Sequence, residues 1–120
     1  MILVDISVWI DHLRNGDAAL VRRLETGQVL AHPFVIGELA LGNLRQRQSI
    51  LDALHDLPQA LVASDREVLT LIDRHSLAGL GIGYVDAHLL AAVKLTPDAR
   101  LWTRDRRLSG VAERLGLDAA

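Results

Sequence analysis

Met1-Ile2-Leu3-Val4-Asp5-Ile6-Ser7-Val8-Trp9 opens the chain with an unbroken apolar run that stops on a carboxylate. Ile2 to Val4 has no polar alternation, which is the pattern of a strand buried on both faces. Ser7 follows as a candidate N-cap for a helix carrying Val8, Trp9, Ile10 and Leu13, and Asn15-Gly16 ends that helix. A buried strand feeding directly into an amphipathic helix is how an α/β chain begins.

Working outward, the same alternation recurs. A second helix pattern runs from Asp17 through Leu20, Val21 and Leu24 to Gly27, and Val29 to Ala31 reads as another strand. Pro33 opens a helix with Val35, Ile36, Leu39 and Ala40 on one side. After Gly42, the stretch from Arg45 to Leu57 has a polar-backed helical pattern, and Ala60 to Ala63 reads as a brief strand. Ser64-Asp65-Arg66-Glu67 is a capping-box sequence that starts a helix through Leu69, Leu71, Ile72 and His75. The glycines at 79, 81 and 83 lead to a helix from Tyr84 to Leu95, followed by the turn Thr96-Pro97-Asp98 and a strand from Arg100 to Thr103. A short helix and a last strand near Leu117 complete the reading. Strands alternating with helices imply a three-layer α/β/α sandwich around a central, mostly parallel sheet, one domain over residues 1–120.

Half of the 120 residues are hydrophobic, yet Trp9, Phe34, Tyr84 and Trp102 are the only aromatics, so the core must be Leu, Val, Ile and Ala. The net charge of −2 argues against affinity for long duplexes, which strongly basic chains bind. Arginine supplies every basic side chain except Lys94, which suits planar contacts to phosphates or carboxylates. With no cysteine there is neither a disulfide, a thiolate zinc site nor a thiol nucleophile. The apolar opening meets Asp5 too soon for a signal peptide or membrane span, so the cytoplasm is the expected location.

Four carboxylates stand inside or beside apolar stretches: Asp5 in MILVDIS, Glu38 in FVIGELALG, Asp86 in GYVDAHLLAA and Asp105 in LWTRDRRL. Carboxylates in such places are normally paired, protonated or bound to a cation. Asp5 and Asp105 fall at the ends of expected strands, where parallel sheets collect ligands. Asp86 falls in the first turn of its helix, and Glu38 lies mid-helix among apolar neighbours. Converging acids of this kind would hold Mg²⁺ or Mn²⁺ through oxygen. A bound metal there supports in-line phosphodiester hydrolysis, with one ion or two. Ser7 and Thr103 are placed to hold a carboxylate or water from a second layer. Taken singly, Asp5 and Asp86 could be helix-terminal acids, and Asp105 could pair with Arg104, Arg106 or Arg107.

On these residues the chain resembles the PIN-domain nucleases, specifically the VapC-like toxins of bacterial type II toxin–antitoxin pairs. The likeness covers essentially the full length. It rests on Asp5-Ile6-Ser7-Val8-Trp9, on Glu38-Leu39 followed by Gly42, on Asp86-Ala87 before Leu89-Leu90-Ala91-Ala92, and on Leu101-Trp102-Thr103-Arg104-Asp105. Ile6 departs from the threonine common in that family, and Leu108 stands where an aromatic is frequent. The resemblance implies a Mg²⁺- or Mn²⁺-dependent endoribonuclease with Asp5, Glu38, Asp86 and Asp105 as metal ligands and catalytic acids. It also implies a homodimer and a cognate antitoxin covering the groove, in a heterotetramer or larger, with an antitoxin arginine entering the acidic site.

Arg104, Arg106 and Arg107, then Arg45 and Arg47, are the first places to look for RNA contacts. The three glycines do not complete GxGxxG, and the five histidines show no metal-like cluster, with His88 expected to point away from Asp86. Trp9 and Trp102 read as core. Two other classes compete: an acid-rich α/β phosphotransfer domain, and a non-catalytic PIN-like domain that binds RNA or a partner. Ser7 stands where a phosphatase would carry its second aspartate, and a scaffold has no need of all four acids.

Overall fold

The computed structural model describes residues 1–119. Its sheet is built from β1 (Ile2–Val4), β2 (Val29–Leu30) and β3 (Arg100–Trp102), all parallel and ordered β2-β1-β3. The register pairs Leu3 with Leu30 on one side and Leu3 with Leu101 on the other. The helices are α1 (Ile6–Asn15), α2 (Ala18–Glu25), α3 (Pro33–Ala40), α4 (Arg47–Asp56), α5 (Asp65–Arg74), α6 (Tyr84–Leu95) and α7 (Arg106–Arg114). This is the expected α/β sandwich. Its strand order reverses at β1, because the chain leaves for β2 on one side and returns as β3 on the other. That reversal opens a crevice at the carboxyl end of β1, where such sheets bind ligands.

The core is aliphatic, as the scarcity of aromatics requires. Leu3, Val4, Val8, Leu20, Leu89, Leu90, Leu101 and Leu108 are fully enclosed. Helix α6 is buried from Ala87 through Val93, so its interior turns carry alanine and leucine, with His88 as the exception. Strand β1 is buried along its whole length between its two neighbours.

Several local expectations shift. Helix α1 starts one residue after Asp5, and Asp5, not Ser7, is its N-cap: the carboxylate accepts from the Ser7 backbone N–H. Aspartate caps as well as serine does, so the strand turns into the helix without a spacer. Helix α4 begins at Arg47 because Gln46 sits in the left-handed region at φ 51°. Ala60–Ala63 is not a strand. One parallel bridge joins Ala31 to Gln59 through the Ala60 N–H, and pairing stops there; on the opposite side of the segment the Leu61 N–H donates to Thr96 Oγ1 at 3.0 Å. The expected strand near Leu117 is likewise a single bridge, Leu101 to Asp118. The capping box at Ser64 and Glu67 forms with both of its bonds.

Candidate active site at the carboxyl ends of the strands

Asp5 leaves β1 into the crevice and is 4% exposed. One of its oxygens, Oδ2, accepts from Ser7 Oγ at 2.7 Å, Thr103 Oγ1 at 2.8 Å and the Ser7 N–H at 3.4 Å. The other oxygen, Oδ1, receives no donor among the described residues. Thr103 follows β3 directly, so the neighbouring strand ends supply the acid and one of the hydroxyls that orient it. The loop closes on itself through Arg104 N–H to Ser7 Oγ (3.0 Å) and Asp105 N–H to Thr103 Oγ1 (3.1 Å). Both residues read as second-layer supports, Ser7 and Thr103, therefore hold Asp5.

Asp86 lies in the first turn of α6, half-buried, and accepts from the Gly83 N–H at 3.1 Å. Burial holds its carboxyl above the ordinary aspartate pKa, and the charges of Asp5 and Asp105 add to the rise against the Gly83 bond. Asp105 caps α7 through Oδ1, accepting from Arg107 N–H and Leu108 N–H, both at 3.0 Å. It does not pair with the adjacent arginines, and no donor reaches its Oδ2 among the described residues. The charges of Asp5 and Asp105 thus both reach Asp86.

Glu38 stands apart from that trio. It is half-buried on α3, and it lines a groove of about 540 Å³ with Ile6, Leu39, Arg14 and Arg45. Through Ile6 the groove borders Asp5, but Glu38 is not among the charges acting on Asp86. No group of three or more His, Cys, Asp or Glu among the described residues stands in direct metal-holding geometry. The donor set nonetheless fits a hard divalent cation: oxygens only, with Asp5 Oδ1 and Asp105 Oδ2 uncommitted and Asp86 short of positive charge. Mg²⁺ keeps several waters and needs only one or two direct carboxylates, so separated acids suit it.

The sequence profile of the family described as PIN domain matches residues 2–114. The chain belongs to the PIN-domain family. At full length this PIN domain is 51% identical over 120 residues to Ribonuclease VapC32 of Mycobacterium tuberculosis. The same figure holds for the proteins of strains CDC 1551 / Oshkosh and H37Rv, with 100% of this chain and 97% of the relative aligned. It is thus a VapC-like PIN domain.

Around the acids the PIN domain holds features that sequence reasoning missed. Arg104, one of the first places to look for RNA contacts, makes ion pairs within the chain: its guanidinium donates to Asp11 of α1 at 2.7 Å and to Asp17, the N-cap of α2, and lies 5.5 Å from the Trp102 ring centre. Trp102 is half-exposed, with Arg23 also over its ring, and is less a core residue than expected. The histidines do form a cluster, though not a metal-like one. His32 and His88 are buried on either side of Phe34, with ring centres 5.2 Å and 4.7 Å from it. His88 does point away from Asp86, and its Nε2 lies 3.3 Å from Asp65 Oδ1, which also accepts from the Tyr84 hydroxyl at 2.8 Å. His32 caps α3 through Nδ1, which accepts from the Phe34 N–H at 3.0 Å. Burial, helped by the His88 charge, pushes its pKa down to about 4. A histidine just before Pro33 and another inside an apolar helix were the available signals. Gly81, at φ 79°, lies where any Cβ would stand 2.8 Å from the Arg107 side chain, so this loop packs on α7.

Proposed function

We propose that the chain is an endoribonuclease, the toxin of a toxin–antitoxin pair, hydrolysing RNA phosphodiester bonds with Mg²⁺ or Mn²⁺ held by Asp5, Glu38, Asp86 and Asp105. The observation that carries this reading is Asp5: buried at the strand-order reversal, with one oxygen fixed by two hydroxyls and the other turned loose beside two further acids. The relatives named as ribonucleases, 51% identical, supply the substrate class. When bound, the cation would lower the pKa of a water and offset the charge of the phosphodiester.

The chain's own groups divide the remaining work. Ser7 and Thr103 set the orientation of Asp5 before substrate arrives, so no rearrangement is needed during reaction. Asp86, whose ionised form is disfavoured by burial and by its neighbours, gains most from a nearby cation. Asp105 presents one oxygen while its other anchors α7. Glu38, reached through the groove that Ile6 borders, would complete the cation's oxygen ligands, directly or through water.

A cognate antitoxin would cover the Glu38 groove and insert an arginine among the acids, replacing the cation's charge. The exposed apolar side chains Leu61 and Val62, with Leu69 on α5, support a homodimer, and the toxin would act in the cytoplasm on cellular RNA. Among the described residues no helix is long and apolar enough to cross a membrane.

The test is incubation of antitoxin-free protein with total RNA and Mg²⁺, with Asp5→Asn as control and new 5′ ends mapped by sequencing. Discrete cuts absent from the variant are the expected result. Cuts shared by both proteins would remove Asp5 from the mechanism, and Mn²⁺ calorimetry unaffected by Asp5→Asn would remove it from the metal site.

A further inference from the structure

Away from the acids, the far ends of three helices gather charge of the opposite sign. Arg74 closes α5, Lys94 lies in the last turn of α6 and Arg114 ends α7. They meet around His75. Lys94 Nζ is 3.1 Å from His75 Nε2, and Arg114 Nη2 donates to the His75 carbonyl at 2.6 Å. Partial burial, then the positive charges of Lys94, Arg74 and Arg114, hold the imidazole below its ordinary pKa. Arg66, Arg74, His75 and Lys94 line a groove of about 330 Å³ together with Leu71, Ala91 and Leu95.

Helix ends explain the sign of these charges but not their number. Each helix carboxyl terminus is worth about half a negative charge, so three ends offset roughly half of the charge of Arg74, Lys94 and Arg114, and none of Arg66 in the first turn of α5. The carboxylate lining the groove, Glu67, already accepts from the Ser64 N–H in its capping box. Among the described residues none of Arg66, Arg74, Lys94 and Arg114 makes an ion pair, in a chain whose net charge is −2. Four cations against one carboxylate leave a net positive charge whose members repel one another, and an external anion lowers that cost.

We propose that this groove is a second RNA-contacting surface, which binds backbone phosphates of a long substrate away from the carboxylates. The identity of the anion rests on the ribonuclease reading. Arginine supplies three of the four cations, and its planar fork matches phosphate oxygens. Asp86 and Lys94 are eight residues apart on α6, about 12 Å along its axis. One phosphate cannot touch both, whereas one RNA molecule can. Arg107, against Gly81, and Arg114 are two turns apart on α7, so they share a face and mark a basic path between the two ends.

The experiment measures RNA binding in EDTA, where no cutting occurs, for the wild type and an Arg74→Gln/Lys94→Gln double variant. The probes are bulk transfer RNA and a single-stranded RNA of about six nucleotides. Expected is a loss of about tenfold or more on the long RNA, a salt dependence shallower by roughly 1.4 for two lost contacts, and no change on the short one. Unchanged affinity and salt slope on the long RNA would overturn the proposal, as would an equal loss on both probes or a wild type that binds neither. Loss of binding to a copurifying antitoxin, with RNA affinity intact, would assign the groove to a protein and also overturn it. Arg66→Gln, at the groove's rim, serves as a milder variant should the double variant unfold. The ribonuclease reading fails separately, by the absence of Asp5-dependent cutting in Mg²⁺ while the binding loss persists.

Discussion

Helix α6 ends in opposite worlds. Its first turn carries Asp86, half-buried, hydrogen-bonded and beside Asp5 and Asp105; its last turn carries Lys94, exposed, without an ion pair, and beside Arg74 and Arg114. Both clusters obey the helix dipole, acids at amino ends and bases at carboxyl ends. The difference is what lies at the centre of each. The acidic end is centred on Asp5, buried with one oxygen held by two hydroxyls, which is what a reaction needs. The basic end gathers exposed cations around His75 with no carboxylate paired to them among the described residues, which is what reversible capture of a polyanion needs. Sign alone does not distinguish an active site from a docking surface, whereas a buried, pre-oriented charge does.

The largest effect separating the two ends should come from Asp5→Asn. Asparagine keeps the N-cap, so thermal unfolding should hardly move while cleavage falls about a thousandfold. Comparable activity in the variant would dissolve the contrast at its buried end. Next in size is a stability effect of His32, which caps the helix bearing Glu38. Its folded pKa, about 4, lies below the ordinary value of 6.5, so between these values the unfolded chain binds more protons. Stability should therefore be complete above pH 6.5 and fall as pH drops toward 4, by roughly 2–3 kcal/mol. Urea unfolding across that range reads it, and His32→Asn, which can still cap α3, should flatten the limb.

Thr103→Val removes one hydroxyl from Asp5 and fits the same space, so cleavage should drop roughly 10- to 100-fold with Mn²⁺ affinity weakened in parallel. A drop in cleavage with unchanged Mn²⁺ calorimetry would mean that Thr103 contacts RNA and not the metal acid. The smallest effect belongs to the basic end. Lys94→Gln forfeits a helix-end charge, worth about 0.3–1 kcal/mol, but relieves repulsion from Arg74, Arg114 and the flank of His75. The net change should stay within about 0.5 kcal/mol. A loss well above 1 kcal/mol would make these cations structural, and the comparison between the two ends would lose its functional meaning.

Much of the scaffold was readable residue by residue. Ile2–Val4, the capping box at Ser64, and Pro33 at the head of α3 each carry their signal within a few neighbours. The misread strands at Ala60–Ala63 and Leu117 failed because pairing needs a partner edge that continues alongside, and each segment makes only one bridge among the described residues. The ion pairs of Arg104 were illegible for a related reason: its carboxylate partners, Asp11 and Asp17, are about ninety residues away in sequence.

The sequence by itself determined the α/β class, the helix starts set by local caps, and the four acids stranded in apolar settings, because periodicity and capping are short-range. Only the tertiary structure decided that the charges of Asp5 and Asp105 reach Asp86 while Glu38 lines a separate groove. It alone joined Thr103 to Asp5 across 98 residues and gathered Arg74, Lys94 and Arg114 around His75. Parallel strands place distant residues side by side at one end of the sheet, and the helices between them return other residues to the far end. That juxtaposition depends on register and strand order, which no local pattern encodes.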